Sequence, residues 1–334
     1  MQYRRLGKSA LVVSQIGVGS SSFGSVVSER EAASILDHAF GRGVNFVDTA
    51  DQYGEGRSEE LVGQLIAPDR SRWILATKFG GSSVSKSIKA PALRKATIEG
   101  VDASLRRLRT DYIDLLYVHR ENDTNNVKEL VDIFADLIRE GKIRHYGLSN
   151  HRAWRVAEFS HISREQGVEL PAASQPLYNL ANRQAEIEHL TACEYYGVGV
   201  ISYSPLARGM LTGKYLPGVR PAPNTRAGRN EKRFMETEWR PETIELAQEL
   251  KRHAISRHLT TGQFAIAWVL ANRLISAIVA GPRTLKQWKE YLPALSYVWT
   301  AEDEDFVNQR VAPGHPSTPG YNDPAYSFFG RSIS

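Results

Sequence analysis

Several apolar runs in this chain stop at a polar residue able to take part in chemistry. In "DTADQYG", residues 48–54, the run over 44–47 ends at Asp48, and Tyr53 follows five residues on, beside Gly54. Asp is depleted in strands, so a carboxylate at the end of one needs a reason. "WILATK" ends in Lys78 and "IDLLYVH" in His119; later runs end in Ser149 and Asn150, carry Gln175, and end in Tyr203 and Ser204. Each has an ordinary reading: a strand-end lysine is often solvated, and a lone histidine is often satisfied in a core. Taken together, Asp48, Tyr53, Lys78 and His119 make a general acid–base unit. A phenol has an ordinary pKa of about 10, and a nearby ammonium stabilises its phenolate. Lys78 supplies that ammonium, Asp48 holds it, and His119 hydrogen-bonds near the phenol or a substrate oxygen. Such a unit suits protonating an alkoxide as a carbonyl is reduced. A Schiff-base reaction through Lys78 is the competing chemistry. The histidines show no ligand spacing, so no metal is expected.

Carbonyl reduction needs a hydride, which no side chain supplies, so a cofactor is expected. Tyr203 can stack on a nicotinamide ring, and Ser149, Asn150 and Gln175 can bond its carboxamide. "YSPLARGMLTGKY" (203–215) offers backbone amides, Arg208 and Lys214 to a pyrophosphate. "AGPRTLKQWKEY" opens a helix near Thr284, whose free N–H groups would favour a phosphate, and Arg283 is placed for a 2′-phosphate. Phe23, Tyr53, Phe79 and His119 are expected to line the substrate pocket.

These residues must be brought to one place by the elements that carry them. Eight short apolar runs recur: "QIGVG", "NFVDT", "WILATK", "YIDLLYVH", "RHYGLS", "AASQP", "GVISYS" and "SAIVAG". Each is apolar through its middle, as strands buried on both faces are. Helical patterns lie between them, such as "SEREAASILDHAFGRG", "VKELVDIFADLIREGK" and "RQAEIEHLTACEYYG". Gly141 and Gly197 read as C-caps. The alternation predicts an α/β fold, a (β/α)₈ TIM barrel, in which strand C-termini carry the chemistry. An open doubly wound sheet is the alternative, but the G-x-G-x-x-G of its dinucleotide site is absent. "YRRLGKSALVVS" predicts an N-terminal β-hairpin. The chain reads as one domain over 1–334, with a long functional loop over 209–240 and an irregular Pro/Gly-rich tail over 311–334. Tyr321, Tyr326, Phe328 and Phe329 in that tail are expected to pack on the surface.

The composition excludes other classes. The chain has 334 residues, 42% hydrophobic and 24% charged, ordinary for a globular protein. Its single cysteine, Cys193, excludes an intrachain disulfide and reads as a buried structural thiol. The formal charge is +5. The densest basic run, "LRRLRTDYIDLL", reads as a helix C-terminus opposing its dipole rather than a nucleic-acid groove. Neither a signal peptide nor a run of ~18 apolar residues is present. The expectation is a cytoplasmic protein with no nucleic-acid partner and no membrane insertion.

On these residues the sequence resembles the aldo-keto reductase superfamily. "GVNFVDTADQYGEGRSEELVGQLI" (43–66) is similar to the family's signature, and "ATKFG" and "LLYVHR" carry its remaining two catalytic positions. The resemblance implies a (β/α)₈ barrel and NAD(P)H-dependent reduction of an aldehyde or ketone by Asp48, Tyr53, Lys78 and His119, with Tyr53 the proton donor. It implies cofactor contacts from Gly19, Ser20, Ser21, Asp48, Ser149, Asn150 and Gln175. Further contacts come from Tyr203, Ser204, Pro205, Leu206, Arg208, Gly209 and Lys214, and from Gly281, Arg283, Gln287 and Glu290. Arg283 favours NADPH over NADH. The family's closing Asn in the last motif is Tyr291 here. The form of 203–215 resembles the bacterial and potassium-channel β-subunit branches, so a cofactor-sensing regulatory subunit is the alternative to an enzyme.

Overall fold

The computed structural model describes residues 1–80, 93–121 and 126–318. The first elements form a plug. Strands β1 (Tyr3–Arg5) and β2 (Val12–Ser14) pair antiparallel. Gly7 lies between them in the left-handed region, and a Cβ there would fall 2.2 Å from the Gly197 carbonyl oxygen. The hairpin therefore packs directly against the start of a later strand.

Eight parallel strands close into the expected barrel: β3 (Ile16–Gly19), β4 (Phe46–Asp48), β5 (Ile74–Phe79), β6 (Ile113–Val118), β7 (Ile143–Ser149), β8 (Ala173–Gln175), β9 (Gly199–Tyr203) and β10 (Ala277–Ala280). Their order around the barrel is the chain order, with β10 closing on β3. Alternate strand residues face opposite ways. Phe46, Ala76, Leu115, Tyr117, Ala173, Ile201, Ala277 and Val279 form the inner core with Leu6, Leu11 and Val13 of the hairpin. Val47, Leu75, Leu116, Val118, Val200 and Ile278 belong to the larger core under the helices. The hairpin thus seals one end of the barrel, and the chemistry must open at the other.

The same period of two decides where the strand-end polar residues point. Asp48 follows Phe46 by two, Lys78 follows Ala76, His119 follows Tyr117, Gln175 follows Ala173 and Tyr203 follows Ile201. Each continues the inward-facing row as its strand reaches the open rim. The register sets Asp48 opposite both Gly19 and Ala76, Lys78 opposite Tyr117, and Ser149 opposite Gln175.

Eleven helices are formed among the described residues: α1 (Glu29–Gly41), α2 (Arg57–Ile66), α3 (Leu93–Leu108), α4 (Val127–Arg139), α5 (Ala153–Glu165), α6 (His189–Tyr196), α7 (Lys232–Thr237), α8 (Pro241–Ser256), α9 (Thr261–Ala271), α10 (Leu285–Tyr291) and α11 (Ala301–Asn308). Helix α6 starts later than its sequence pattern implies, after a 3-10 turn over Gln184–Glu186. Helices α2, α5, α7 and α11 escape the pattern reading. α5 has a weak apolar stripe, with Arg155, Ser160 and Ser163 among its buried residues. Gly197 caps α6 and Gly141 follows the end of α4, both with positive φ. Cys193 is fully buried, and burial pushes its thiol up to about 12.

Within 209–240 the only α-helix among the described residues is the short α7, after a 3-10 turn over Ala207–Thr212. After α11, residues to 318 lie along the segment following β8: Ser317 N–H donates to Ala181 O at 2.8 Å and Arg183 N–H to His315 O at 3.1 Å. The aromatic cluster of the tail, Tyr321 to Phe329, lies outside the described residues.

Candidate active site

At the open rim the side chains of Asp48 and Lys78 meet as an ion pair, 3% and 1% exposed. Lys78 Nζ also donates to Thr49 O at 2.9 Å, and Gln175 Nε2 donates to Asp48 Oδ2 at 2.9 Å. A buried pair stands only when further hydrogen bonds support it, and these contacts, with Tyr53 above, supply them. Burial acts to lower the Lys78 pKa, but Asp48 and then Tyr53 more than offset it, so the ammonium is held above its ordinary value. It is a fixed positive charge.

Tyr53 hangs over that charge, with Lys78 Nζ 5.2 Å from its ring centroid. The loop that brings it there needs a sharp turn: Gly54, Glu55 and Gly56 all have positive φ, and α2 begins directly after. A Cβ at Gly56 would lie 2.7 Å from Arg107 Cδ. Arg107 is in turn fixed by Glu59, whose Oε2 accepts from its Nε at 2.7 Å. Ser58 ties the loop inward by bonding Ser20 Oγ at 2.7 Å and Thr49 Oγ1 at 2.9 Å. The signature segment is therefore mostly scaffolding for one phenol.

His119 stands edge-on to Tyr53, ring centroids 5.8 Å apart. Burial, then the charges of Lys78, Arg120 and Arg233, push its pKa well below the ordinary histidine value. The ring is neutral at pH 7. Its Nε2 lies 3.2 Å from Gln52 Nε2, and its Nδ1 has no hydrogen-bond partner among the described residues. A neutral imidazole is a poor proton source here but a serviceable hydrogen-bonding group.

These residues open onto a cavity of about 690 Å³, within the range of small-molecule and cofactor sites. Asp48, Tyr53 and His119 line it, while Lys78 lies beneath. So do all seventeen of the further residues expected to meet a cofactor, from Gly19, Ser20 and Ser21 to Gly281, Arg283, Gln287 and Glu290.

Three features of the site bear on what was expected of its residues. The Asn150 amide is used within the wall: Nδ2 donates to His119 O at 3.1 Å and to Ser149 Oγ at 3.0 Å, and Oδ1 accepts from Tyr203 OH at 2.7 Å. The start of α10 is not a set of free N–H groups. Glu31 of α1 accepts from Leu285 N–H, Thr284 Oγ1 from Gln287 N–H, and Gln287 Oε1 from Arg283 N–H. Glu31, three residues after the Ser28 cap, thus serves another helix. Finally, Phe23 is fully buried and Phe79 packs edge-on against Phe134; neither lines the cavity.

The residues present fit a dinucleotide phosphate. Ala207, Arg208 and Gly209 have positive φ in succession, strained enough to mark function; the Ala207 and Gly209 N–H groups are used within the loop, donating to Ser204 O at 2.9 Å and Leu206 O at 2.8 Å. Lys214 and Arg283 are each held below their ordinary pKa, first by burial and then by other cations: Lys214 by Arg283, Arg226 and Arg229, and Arg283 by Arg226 and Arg229. Such crowding of positive charge is costly unless an anion joins it. Glu231 offsets part of it through ion pairs to Arg226 and Arg283. The sequence reading missed Gln52, Arg120, Arg226 and Arg233 in the wall, and Tyr291, singled out there as replacing the family's Asn, lines it too. The signals for the three arginines were the basic run "RAGRNEKR" (226–233) and the arginine directly after His119. Among the described residues no His/Cys/Asp/Glu group could hold a metal, and no helix is long and apolar enough to cross a membrane.

Comparison with known proteins agrees with this geometry. The model of the aldo/keto reductase family matches residues 15–309. The chain is 34% identical over 303 residues to a "Probable voltage-gated potassium channel subunit beta" of Oryza sativa subsp. japonica, covering 89% of this chain and 92% of that protein. It is 32% identical over 326 residues to "Protein tas" of Escherichia coli (strain K12), covering 88% and 93%. It is 31% identical over 313 residues to "Uncharacterized oxidoreductase YrpG" of Bacillus subtilis (strain 168), covering 88% and 91%.

Proposed function

The chain belongs to the aldo/keto reductase family, and from that premise we propose that it reduces an aldehyde or ketone to an alcohol with NADPH. Family membership supports the coarser statement, an oxidoreductase using a nicotinamide cofactor on a small carbonyl compound. The observation that carries the finer one is the buried Lys78–Asp48 pair directly under Tyr53, at the floor of a cavity whose far wall is cationic.

A bound reduced nicotinamide supplies the hydride. Tyr203, Ser149 and Gln175 form the wall where its ring would lie, Arg208 and Lys214 would take the pyrophosphate, and Arg283 with Arg226 would take the 2′-phosphate. Tyr53 gives its phenolic proton to the carbonyl oxygen as charge develops there. The Lys78 ammonium stabilises the phenolate left behind, and Asp48 keeps that ammonium in place. His119, neutral, hydrogen-bonds the same oxygen and orients it, which leaves Tyr53 as the proton donor. The reverse reaction uses the same groups in the opposite sense.

Loss of reduced-nicotinamide absorbance across a panel of carbonyl compounds tests the reading. Full activity in Tyr53→Phe would sink the assigned mechanism. The likeness to proteins named potassium channel β subunits favours a second reading, a cofactor-sensing subunit. Tight NADPH binding with no turnover on any carbonyl would select it.

A further inference from the structure

A second phenol, Tyr117, lies on the other side of Lys78 and takes no part in the proton transfer. It comes two residues before His119, in the inward-facing row of β6, and the register sets it opposite Lys78 of β5. It is fully buried. Lys78 Nζ lies over its ring, 5.8 Å from the centroid, as it lies over the Tyr53 ring at 5.2 Å. The ammonium therefore sits between two aromatic faces, Tyr53 toward the cavity and Tyr117 toward the barrel interior. The Tyr117 hydroxyl does not account for this placement. It faces the Gln175 amide but completes no hydrogen bond among the described residues. Burial, and then the charge of Asp48, hold its pKa well above the ordinary phenol value, so it is neutral. The backbone makes room for the ring: at Gly147 on β7 a Cβ would lie 2.7 Å from Tyr117 Cε1 and 2.8 Å from its Cδ1. The barrel accommodates the ring, then, with the hydroxyl unused.

A lysine reaches its place on a flexible stem. Asp48 and Thr49 O hold two sides of this ammonium, and the negative face of an aromatic ring attracts a desolvated cation within about 6 Å. Such a wall also keeps water from the charge, which preserves its pull on a neighbouring phenolate. Resting on the reductase reading above, we propose that Tyr117 is a positioning residue for the reaction: its ring face holds the Lys78 ammonium dry and aimed at Tyr53.

Changing the electronics of the ring at constant shape tests this in the full chain. Tyr117→Phe keeps the face; it is expected to hold kcat within about twofold and, by removing an unpaired buried hydroxyl, to lose no stability in urea. Increasingly fluorinated phenylalanines at position 117 keep the shape and withdraw the negative charge of the face. Along that series kcat for carbonyl reduction with NADPH falls stepwise, by about tenfold or more at pentafluorophenylalanine. The basic limb of its pH profile moves up, because the Tyr53 phenolate loses support. Absorbance titration of the cofactor-free protein reads that phenolate directly, assigned by its absence in Tyr53→Phe, and its formation moves up by about one pH unit. Tyr117→Met, apolar but without a face, behaves like the pentafluorophenylalanine chain. A flat series in both readouts would overturn the inference and leave the reductase reading standing, as would a Tyr117→Phe enzyme as slow as Tyr117→Met. No carbonyl turnover by the wild type would end the reductase reading, and the titration alone would then decide whether the ring acts on Tyr53 through Lys78.

Discussion

Replacing Lys78 by Met separates the chemistry of the site from its stability. The side chain is 1% exposed and its Nζ lies 5.2 Å from the Tyr53 ring centroid. With an effective dielectric of about 20, unit charges at that distance interact by about 3 kcal/mol. If that interaction is made with the phenolate of the transition state and not with the neutral phenol, its loss lowers kcat by about two orders of magnitude. The substitution also strands the buried Asp48 carboxylate, leaving Gln175 Nε2 as its main donor. Breaking a buried pair in this way costs about 3–5 kcal/mol of stability. Adding Asp48→Asn removes the stranded charge, so the double variant should recover most of that stability and none of the rate. Urea unfolding and single-turnover loss of reduced-nicotinamide absorbance measure the two effects. A Lys78→Met enzyme within about tenfold of wild-type kcat would refute the role given to the ammonium. A double variant as unstable as the single one would refute the account of the pair.

Mild acid should destabilise the fold through its buried histidines. Burial lowers His151 and His189 to about 4, and His119 well below its ordinary value. The unfolded chain then takes up protons below about pH 6.5 that the folded chain refuses, so unfolding free energy falls as pH drops from about 6.5 to about 4. Asp51, raised to about 6 by burial and then Glu59, opposes this but is one group against three. Urea midpoints at several pH values check the slope, and His189→Gln should flatten it. Arg283→Ala should weaken NADPH binding by about 10-fold or more while changing NADH binding little, since the lost partner is a phosphate; fluorescence titration of both cofactors decides it. Gly63→Ala should destabilise the protein by about 1–3 kcal/mol or more, because a Cβ there would lie 2.1 Å from the Leu108 carbonyl oxygen. Its urea midpoint should drop without a change in cofactor affinity.

The barrel was legible because both-face burial gives its strands uninterrupted apolar runs, and the polar residue closing each run marks the rim. Period-two alternation then makes Asp48, Lys78, His119, Gln175 and Tyr203 converge, so a one-dimensional pattern carried the floor of the site. Helix α5 was less legible, because its apolar stripe is weak and polar side chains share its buried face. The start of α10 was less legible for a different reason: its Leu285 and Gln287 N–H groups are taken by side chains, one of them Glu31 from about 250 residues earlier, and no local pattern encodes that.

The sequence by itself therefore determined the strands, their inward rows and the four candidate catalytic residues at the open rim, since these follow from local periodicity and residue chemistry. Only the tertiary structure decided how charge is shared. It paired Lys78 with Asp48, spent the Asn150 amide within the wall, crowded Arg226 against Arg283, and set Arg120 and Arg233 in the field of His119. Electrostatic partnership depends on distance and burial, and both are fixed by closing the barrel rather than by position along the chain.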